Sequence, residues 1–281
     1  MDIIKSILLG IIEGVTEWLP ISSTGHLILA DEFIRLEASD AFMEMFNVVI
    51  QLGAILAVVV LFWKKLWPFA IGKNQKDDHT EIVCGCLKKD IMELWMKVIV
   101  AMLPAAIIGI PLDDFLEAHL HTPTVIALAL IVYGILFIVI EAKNRGKTAQ
   151  FQKVSDLSYV TVFLIGVFQA LSLIPGTSRS GSTILGAMIL GASRVAAAEF
   201  SFYLAVPVMF GASFIKMLKF GFHFTSAELS ILLVGMITAF LVSVLVIRFL
   251  MSYIKKRDFS AFGYYRIALG ILVLVYFAFA S

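Results

Sequence analysis

A polar break, Pro20-Ile21-Ser22-Ser23-Thr24-Gly25-His26, interrupts the otherwise largely apolar region 3–30. A second break, Pro175-Gly176-Thr177-Ser178-Arg179-Ser180-Gly181, interrupts the apolar region 157–192 in the same way. Proline and glycine break helices, and serine or threonine caps a helix that restarts. Each region is therefore predicted to be two short helices joined by a polar turn.

The composition of the chain is that of a membrane protein. Of its 281 residues, 60% are hydrophobic and 15% are charged, and the mean hydropathy is +0.96. Soluble domains are roughly 45–50% apolar and about 25% charged, so a soluble enzyme, a secreted disulfide scaffold and a disordered protein are excluded. The formal net charge of +1 provides no basic field for nucleic acid.

Six further apolar runs are long enough to cross a bilayer as helices. They lie at 45–63, 95–111, 124–140, 196–215, 229–251 and 263–280. A transmembrane β-barrel would instead show short alternating strands, so the predicted fold is an all-α polytopic membrane protein. Non-helical backbone at membrane depth is tolerated only inside protein or beside a water-filled cavity. The two broken regions are therefore predicted to be re-entrant hairpins.

The two broken regions correspond to each other at an offset of 156 residues. The matching pairs are Gly10 and Gly166, Glu13 and Gln169, Ser22 and Ser178, and Gly25 and Gly181. This correspondence predicts an internal duplication within one integral membrane domain, with residues 1–150 as the first repeat and 151–281 as the second. Each repeat contains one hairpin and three transmembrane helices. Three crossings place the second repeat on the opposite side from the first, which is an inverted-topology repeat.

The lysines and arginines predict the orientation in the membrane. One set of loops contains Lys64, Lys65, Lys73, Lys76, Lys88, Lys89, Lys143, Arg145, Lys147, Lys153, Arg194, Lys255, Lys256, Arg257 and Arg266, whereas the other contains Lys5, Arg35, Lys216 and Lys219. The first set is predicted to be cytoplasmic by the positive-inside rule. The loops 31–44 and 112–123 and both termini are then external, and the tips of the two hairpins meet within the membrane.

Two smaller features are interpreted as structural. Cys84 and Cys86 lie in a polar loop near His79, and reduced thiols are favoured over a metal site because the four-ligand zinc spacing is missing. The first residues do not resemble a cleavable signal peptide, because Glu13 and Glu17 soon interrupt the apolar stretch.

The first candidates for chemistry are Glu13 and Glu17, four residues apart and so on one helix face. A carboxylate in hydrocarbon costs several kcal/mol, so intramembrane acids are functional candidates. The alternative is a shallow first helix from which both acids reach water.

The first turn offers hydroxyls and free amides at a helix start, which together can cradle an anion. Its residues are Ser22, Ser23, Thr24 and Gly25. The alternative is ordinary N-capping. His26 follows directly and is either an acid–base group or a structural histidine.

The second turn indicates phosphate binding more specifically than the first, because the planar guanidinium of Arg179 is suited to phosphate. Around it, Gly176, Thr177, Ser178, Ser180 and Gly181 supply hydroxyls and closely approaching backbone. The alternative is an ion pair from Arg179 to Glu13 or Glu17 that only joins the hairpins. Gln51, in the first span, either lines the same cavity or bonds between helices.

Two acids, a serine, a histidine and an arginine at membrane depth are suited to a phosphate ester or anhydride on a lipid. The competing hypothesis is transport, because broken helices in inverted repeats also build secondary transporters. A carrier would need the arginine and the cradle, but not a nucleophile with a base.

The run from Glu13 to His26 resembles the first signature of the undecaprenyl-diphosphate phosphatases of the bacitracin-resistance (BacA/UppP) type, and Pro175–Gly181 resembles their second. The stretches 49–53 and 199–202 also match, and the resemblance covers essentially the whole chain. It implies two interlocked inverted repeats. It also implies removal of the terminal phosphate of undecaprenyl diphosphate at the outer face of the bacterial cytoplasmic membrane. This reaction regenerates the lipid carrier for wall synthesis and confers bacitracin resistance.

The resemblance also assigns roles. The residues matching the catalytic ones are Glu13, Glu17, Ser23, His26 and Arg179. A divalent cation, Mg or Ca, held by Glu13 and Glu17 is implied as a cofactor. The expected partners are the lipid diphosphate, the bilayer and a second copy of the chain. We expect Arg179 and the second turn to bind diphosphate, Ser23 to attack phosphorus or position water, and Glu17 or His26 to take the proton.

Overall fold

The computed structural model describes residues 1–70, 82–83, 86–221 and 223–280. Its α-helices are α1 (Asp2–Thr16), α2 (Ser23–Asp31), α3 (Asp40–Leu61), α4 (Trp63–Leu66), α5 (Lys89–Leu120), α6 (Pro123–Asn144), α7 (Tyr159–Ala170), α8 (Arg179–Ile189), α9 (Arg194–Phe220), α10 (Ser226–Ile254) and α11 (Ser260–Ala280). A two-stranded ribbon, β1 (Ile82–Val83) and β2 (Leu87–Lys88), precedes α5. Within these ranges, six helices are long and apolar enough to cross a membrane: α3, α5, α6, α9, α10 and α11. The predicted all-α polytopic architecture is confirmed.

Both predicted helix breaks are present. The helix α1 ends at Thr16 and α2 begins at Ser23, whereas a 3₁₀ turn, Leu171–Leu173, follows α7 before α8 begins at Arg179. The restarting helices are capped alike, since the Ser22 hydroxyl accepts from the Gly25 amide at 3.3 Å and the Ser178 hydroxyl accepts from the Gly181 amide at 3.2 Å. The polar turns and the capping serines predicted from the sequence are therefore both present in the structure.

The first helix of each broken pair packs closely on a long helix. Helix α1 lies against α10, and α7 lies against α5. Glycines permit both approaches: a Cβ on Gly10 would lie 2.6 Å from the carbonyl oxygen of Gly235, and Gly166 packs directly on the carbonyl of Ala101. The other main contacts join α3 to α9, α3 to α10, and α6 to α11.

Buried aromatic side chains pack beside the helix breaks, while the outer faces are apolar. Trp18 is fully buried and meets Phe202 edge to face at 5.3 Å between ring centroids. By contrast, Val160 and Leu245 are about 70% exposed on the outer surface, as expected for side chains that face lipid tails.

Three expectations drawn from the sequence need correction. Helix α3 begins at Asp40, inside the predicted external loop 31–44. Helix α5 continues through Pro104 and Pro111 to Leu120, so most of the predicted loop 112–123 is helical, because neighbouring groups in membrane bundles compensate for the missing proline N–H. Arg266 lies in α11 and is fully buried, not in a cytoplasmic loop. His79 and Cys84 lie outside the described residues, and Cys86 is an exposed free thiol.

Candidate active site

The two helix breaks are joined by an ion pair between Glu17 and Arg179. Glu17 follows the end of α1, and Arg179 is the first residue of α8. A carboxylate oxygen, Oε1, lies 2.9 Å from Nη2 of the guanidinium, and the two side chains are 9% and 12% exposed. The ion pair named as an alternative from the sequence is therefore present, at the meeting point of the two breaks.

Arg179 is fixed on more than one side. Its Nη1 donates to the carbonyl oxygen of Ser201 in α9 at 2.9 Å, and its guanidinium carbon lies 5.8 Å from the Trp18 ring. Its Nε has no hydrogen-bond partner among the described residues. The fork is thus held in place while one donor stays available for a ligand.

The carboxylate of Glu17 also contacts the candidate nucleophile. The Ser23 hydroxyl, at the first position of α2, donates to Oε2 of Glu17 at 3.4 Å. One carboxylate therefore touches the arginine with one oxygen and the serine with the other. This geometry lets Glu17 take a proton from Ser23 while staying oriented by Arg179.

Glu13, one helical turn before Glu17, is fully buried. Neither of its carboxylate oxygens has a hydrogen-bond partner among the described residues. Buried polar atoms are nearly always paired, so these oxygens indicate a place for a proton, a water, a cation or a substrate group. No cluster of three or more His, Cys, Asp or Glu side chains suited to a metal occurs in the described ranges.

His26 lies beside the site but does not contact Ser23 or Glu17 through a hydrogen bond. Its Nδ1 is 2.7 Å from the carbonyl oxygen of Ser22, and its Nε2 is 2.7 Å from the hydroxyl of Tyr265. Both ring nitrogens are therefore engaged, and Glu17 is the better placed base for Ser23.

The second turn is tied to the first by its hydroxyls. Ser180 donates to the backbone carbonyl of Glu17 at 3.0 Å and lies 3.2 Å from the Ser178 hydroxyl. The Thr177 hydroxyl is buried and has no partner in the described part of the chain. The amides of Arg179 and Ser180, the first two of α8, lack intrahelical acceptors because of helix geometry and are suited to an anion, whereas the next amide, that of Gly181, donates to Ser178.

The glycines of the site allow close packing. Gly176 has φ +88°, and a Cβ there would lie 2.5 Å from the carbonyl oxygen of Ile126. A Cβ on Gly181 would lie 2.9 Å from Nη1 of Arg266, and one on Gly25 would meet the Leu130 side chain. These three positions serve close packing around the turns.

Two predicted ligand residues are not brought into the hydrogen-bonded cluster. Thr24 is half-buried in the first turn of α2, and Gln51 is half-buried in α3. Neither makes a side-chain hydrogen bond to the residues that the structure describes. A ligand role for each stays a prediction.

Arg266 is the residue that the sequence interpretation missed. Its guanidinium donates to the carbonyl oxygens of Gly176 and Thr177, both at 2.9 Å, and to that of Pro20 at 3.1 Å. It also lies 5.5 Å from the ring of Tyr133. One buried cation thus holds both turns. An arginine within the predicted span 263–280 was the available signal, by the reasoning already applied to Arg179.

Together these features define a polytopic α-helical membrane protein with a buried, charged and hydroxyl-lined site where two broken helices meet. The chain belongs to the family described as bacitracin resistance protein BacA, whose family model matches residues 6–272.

Its similar proteins span nearly its whole length. It is 64% identical over 275 residues to an undecaprenyl-diphosphatase of Enterococcus faecalis, covering 98% of this chain and 97% of that protein. It is 58% identical over 277 residues to an undecaprenyl-diphosphatase of Acetivibrio thermocellus, covering 99% and 98%. A third, from Lachnoclostridium phytofermentans, is 58% identical over 280 residues, covering 100% and 98%.

Proposed function

We propose that this protein hydrolyses undecaprenyl diphosphate to undecaprenyl phosphate and phosphate. It thereby recycles the lipid carrier for cell-wall synthesis and confers resistance to bacitracin. The observation that carries the proposal is the contact of one buried carboxylate, Glu17, with both a phosphate-binding arginine and a serine hydroxyl. Family membership and relatives named undecaprenyl-diphosphatase support it.

Substrate binding is assigned to the second turn. Arg179 and the first amides of α8 bind the diphosphate, since a guanidinium and a helix N-terminus both favour phosphate oxygens. The Nε of Arg179 and the Thr177 hydroxyl are donors without a hydrogen-bond partner among the described residues. The apolar tail lies between helices in the membrane.

Catalysis is assigned to Ser23 and Glu17. Ser23 Oγ bonds to the terminal phosphorus as the bond from that phosphorus to the bridging oxygen breaks, and the hydroxyl proton passes to Glu17. Undecaprenyl phosphate leaves, and water then releases phosphate from the serine, whose oxygen regains the proton. In the other route, Ser23 orients a water that makes the same attack directly.

A divalent cation, Mg or Ca, is proposed at Glu13 and Glu17. The donor set fits in part: neither Glu13 oxygen has a hydrogen-bond partner among the described residues, whereas Glu17 is already bonded to Arg179 and Ser23. Carboxylate oxygens are the ligands that such cations prefer. When bound, the cation would neutralise charge on the phosphoryl oxygens.

The inverted repeat, with residues 1–150 and 151–281 as its halves, belongs to the same proposal. What supports it is an exchange of partners: α1 of the first half packs on α10 of the second, and α7 of the second packs on α5 of the first. We place the protein in the bacterial cytoplasmic membrane with the site open to the outer face, and the lysine and arginine distribution supports the orientation of its loops. A homodimer stays a prediction, tested by the mass of the protein in detergent.

Phosphate release by the purified protein in detergent tests the proposed activity, because detergent micelles have no two sides between which a carrier could transport the lipid.

Ser23→Ala is expected to abolish phosphate release while lipid-diphosphate binding largely survives. The control is Ser230→Ala, an exposed serine on α10 whose hydroxyl donates to the Ser226 carbonyl of its own helix. Near wild-type turnover in Ser23→Ala would show that Ser23 is neither the nucleophile nor needed to position the attacking water. A wild-type protein that binds the lipid but releases no phosphate would support a carrier.

A further inference from the structure

His26 and Tyr265 form a pair at the edge of the site, although 239 residues separate them. Their rings are nearly parallel, with 8° between planes and 5.6 Å between centroids. The imidazole Nε2 and the tyrosine hydroxyl are 2.7 Å apart, and the imidazole Nδ1 is 2.7 Å from the Ser22 carbonyl oxygen. The imidazole is therefore bonded at both ends.

The two partners determine where the proton of the neutral imidazole lies. A backbone carbonyl can only accept, so Nδ1 must carry the hydrogen that reaches Ser22. Nε2 then has the lone pair, and it accepts the Tyr265 hydroxyl proton. In the opposite tautomer, the lone pair of Nδ1 would face the carbonyl oxygen, and this bond would be lost.

The bond from His26 reaches the peptide that precedes the nucleophile. The Ser22 carbonyl belongs to the Ser22–Ser23 peptide, and Ser22 has φ of 74°, a conformation that costs non-glycine residues energy unless surroundings hold it. In α8 the equivalent carbonyl of Ser178 accepts from a backbone amide, that of Ser182, at 2.9 Å. In α2 an imidazole holds this carbonyl.

We propose that Tyr265 is a positioning residue for Ser23. By donating to Nε2 it keeps the proton on Nδ1, so that His26 holds the Ser22 carbonyl and the planar peptide behind it. The orientation of Ser23 toward phosphorus then depends on a hydroxyl on α11. This role rests on the function proposed above for Ser23.

The test is Tyr265→Phe, which keeps the stacked ring and removes only the hydroxyl. We expect kcat for phosphate release to fall about 10- to 100-fold with KM near the wild-type value, since small misplacement of a reacting group costs this much. Tyr264→Phe is the matched control, because Tyr264 is 62% exposed and makes no hydrogen bond within the described chain. Its kcat should equal the wild-type value.

A second readout follows the tautomer itself. In protein labelled with ¹⁵N at histidine, the His26 ring signals, assigned by their loss in His26→Asn, should show hydrogen on Nδ1 in the wild type. In Tyr265→Phe they should shift toward the Nε2–H form. An unchanged tautomer, or an unchanged kcat, in Tyr265→Phe of an active protein would overturn the inference. A wild type without phosphate release contradicts the proposed function instead, and the ring signals still report the tautomer.

Discussion

Ser22 and Ser178 lie 156 residues apart and share a rare backbone conformation, with φ of 74° and 70°. They are the only non-glycine residues with positive φ in the described ranges. Each accepts a hydrogen bond on its side chain from the amide three residues later. Such strain persists only where surrounding contacts hold it. Arg266 contributes contacts beside both serines, because it donates to the carbonyl oxygen of Thr177, directly before Ser178, and to that of Pro20, two residues before Ser22.

Replacing Arg179 by lysine is expected to lower kcat/KM for phosphate release by about 10²-fold or more. The guanidinium uses one nitrogen for Glu17 and another for Ser201, while the third, Nε, has no partner in the part of the chain that the structure describes. A lysine ammonium is a point charge that cannot reproduce this fork. Arg248→Lys, at an exposed position of α10, is the control and should keep wild-type activity. Full activity in Arg179→Lys would mean that only local positive charge matters.

Replacing Arg266 by methionine is expected to lower both thermal stability and activity. Methionine fills much of the volume but leaves the Pro20, Gly176 and Thr177 carbonyls without their donor, at about 1–3 kcal/mol for each buried group left unsatisfied. Thermal unfolding in detergent and kcat on the same preparation measure the two effects. The control is Arg257→Met, an exposed arginine beyond α10. Equal unfolding temperatures for Arg266→Met and wild type would contradict the bracing role.

Replacing Gly166 by alanine is expected to destabilise the protein by about 1–3 kcal/mol, the usual cost of overpacking. The added methyl would overlap the Ala101 carbonyl of α5, so α7 would have to move. Gly211→Ala is a matched control in α9, because nothing lies within 4 Å of a Cβ there. It should be neutral or slightly stabilising, since alanine favours helix over glycine. The unfolding temperatures of the two variants are compared, and we expect the lower one for Gly166→Ala. A lower unfolding temperature for Gly211→Ala would contradict the close packing of Gly166 on α5.

A reporter active only in the cytoplasm should be silent when fused after Ser281. The same reporter inserted after Lys147, in a loop predicted to be cytoplasmic, should be active and serves as the positive control. A strong signal at the C-terminal fusion would contradict an odd number of crossings per repeat, and the inverted repeat with it.

The two helix breaks and the residues of their ion pair were predictable from the sequence. Placing a charged side chain within a bilayer costs free energy. Glu17 and Arg179, which lie between apolar runs, were therefore identifiable from the sequence as candidate functional residues. The cap serines were predictable for a related reason, because a hydroxyl before a restarting helix satisfies its free amides.

The partners of these residues were not predictable, because they depend on how the long helices pack. His26 meets Tyr265 across 239 residues, and nothing local distinguishes Tyr265 from the more exposed Tyr264. The positive-inside rule assigns charges by loop, and Arg266 was misassigned because α11 begins at Ser260, two turns before it. The helical path of α5 beyond Pro111 was missed because the predicted span ended where the apolar run ends, at residue 111.

The position of Arg266 and Tyr265 late in the chain has a consequence for biosynthesis. Both turns have been synthesised once Gly181 has left the ribosome. Arg266, whose guanidinium donates to carbonyl oxygens of both turns, is synthesised later, as part of α11. Until α11 is present, the two turns near Glu17 and Arg179 lack the hydrogen bonds that Arg266 donates to both. The hydrogen bonds that join the two turns through Arg266 can therefore form only after α11 has been synthesised.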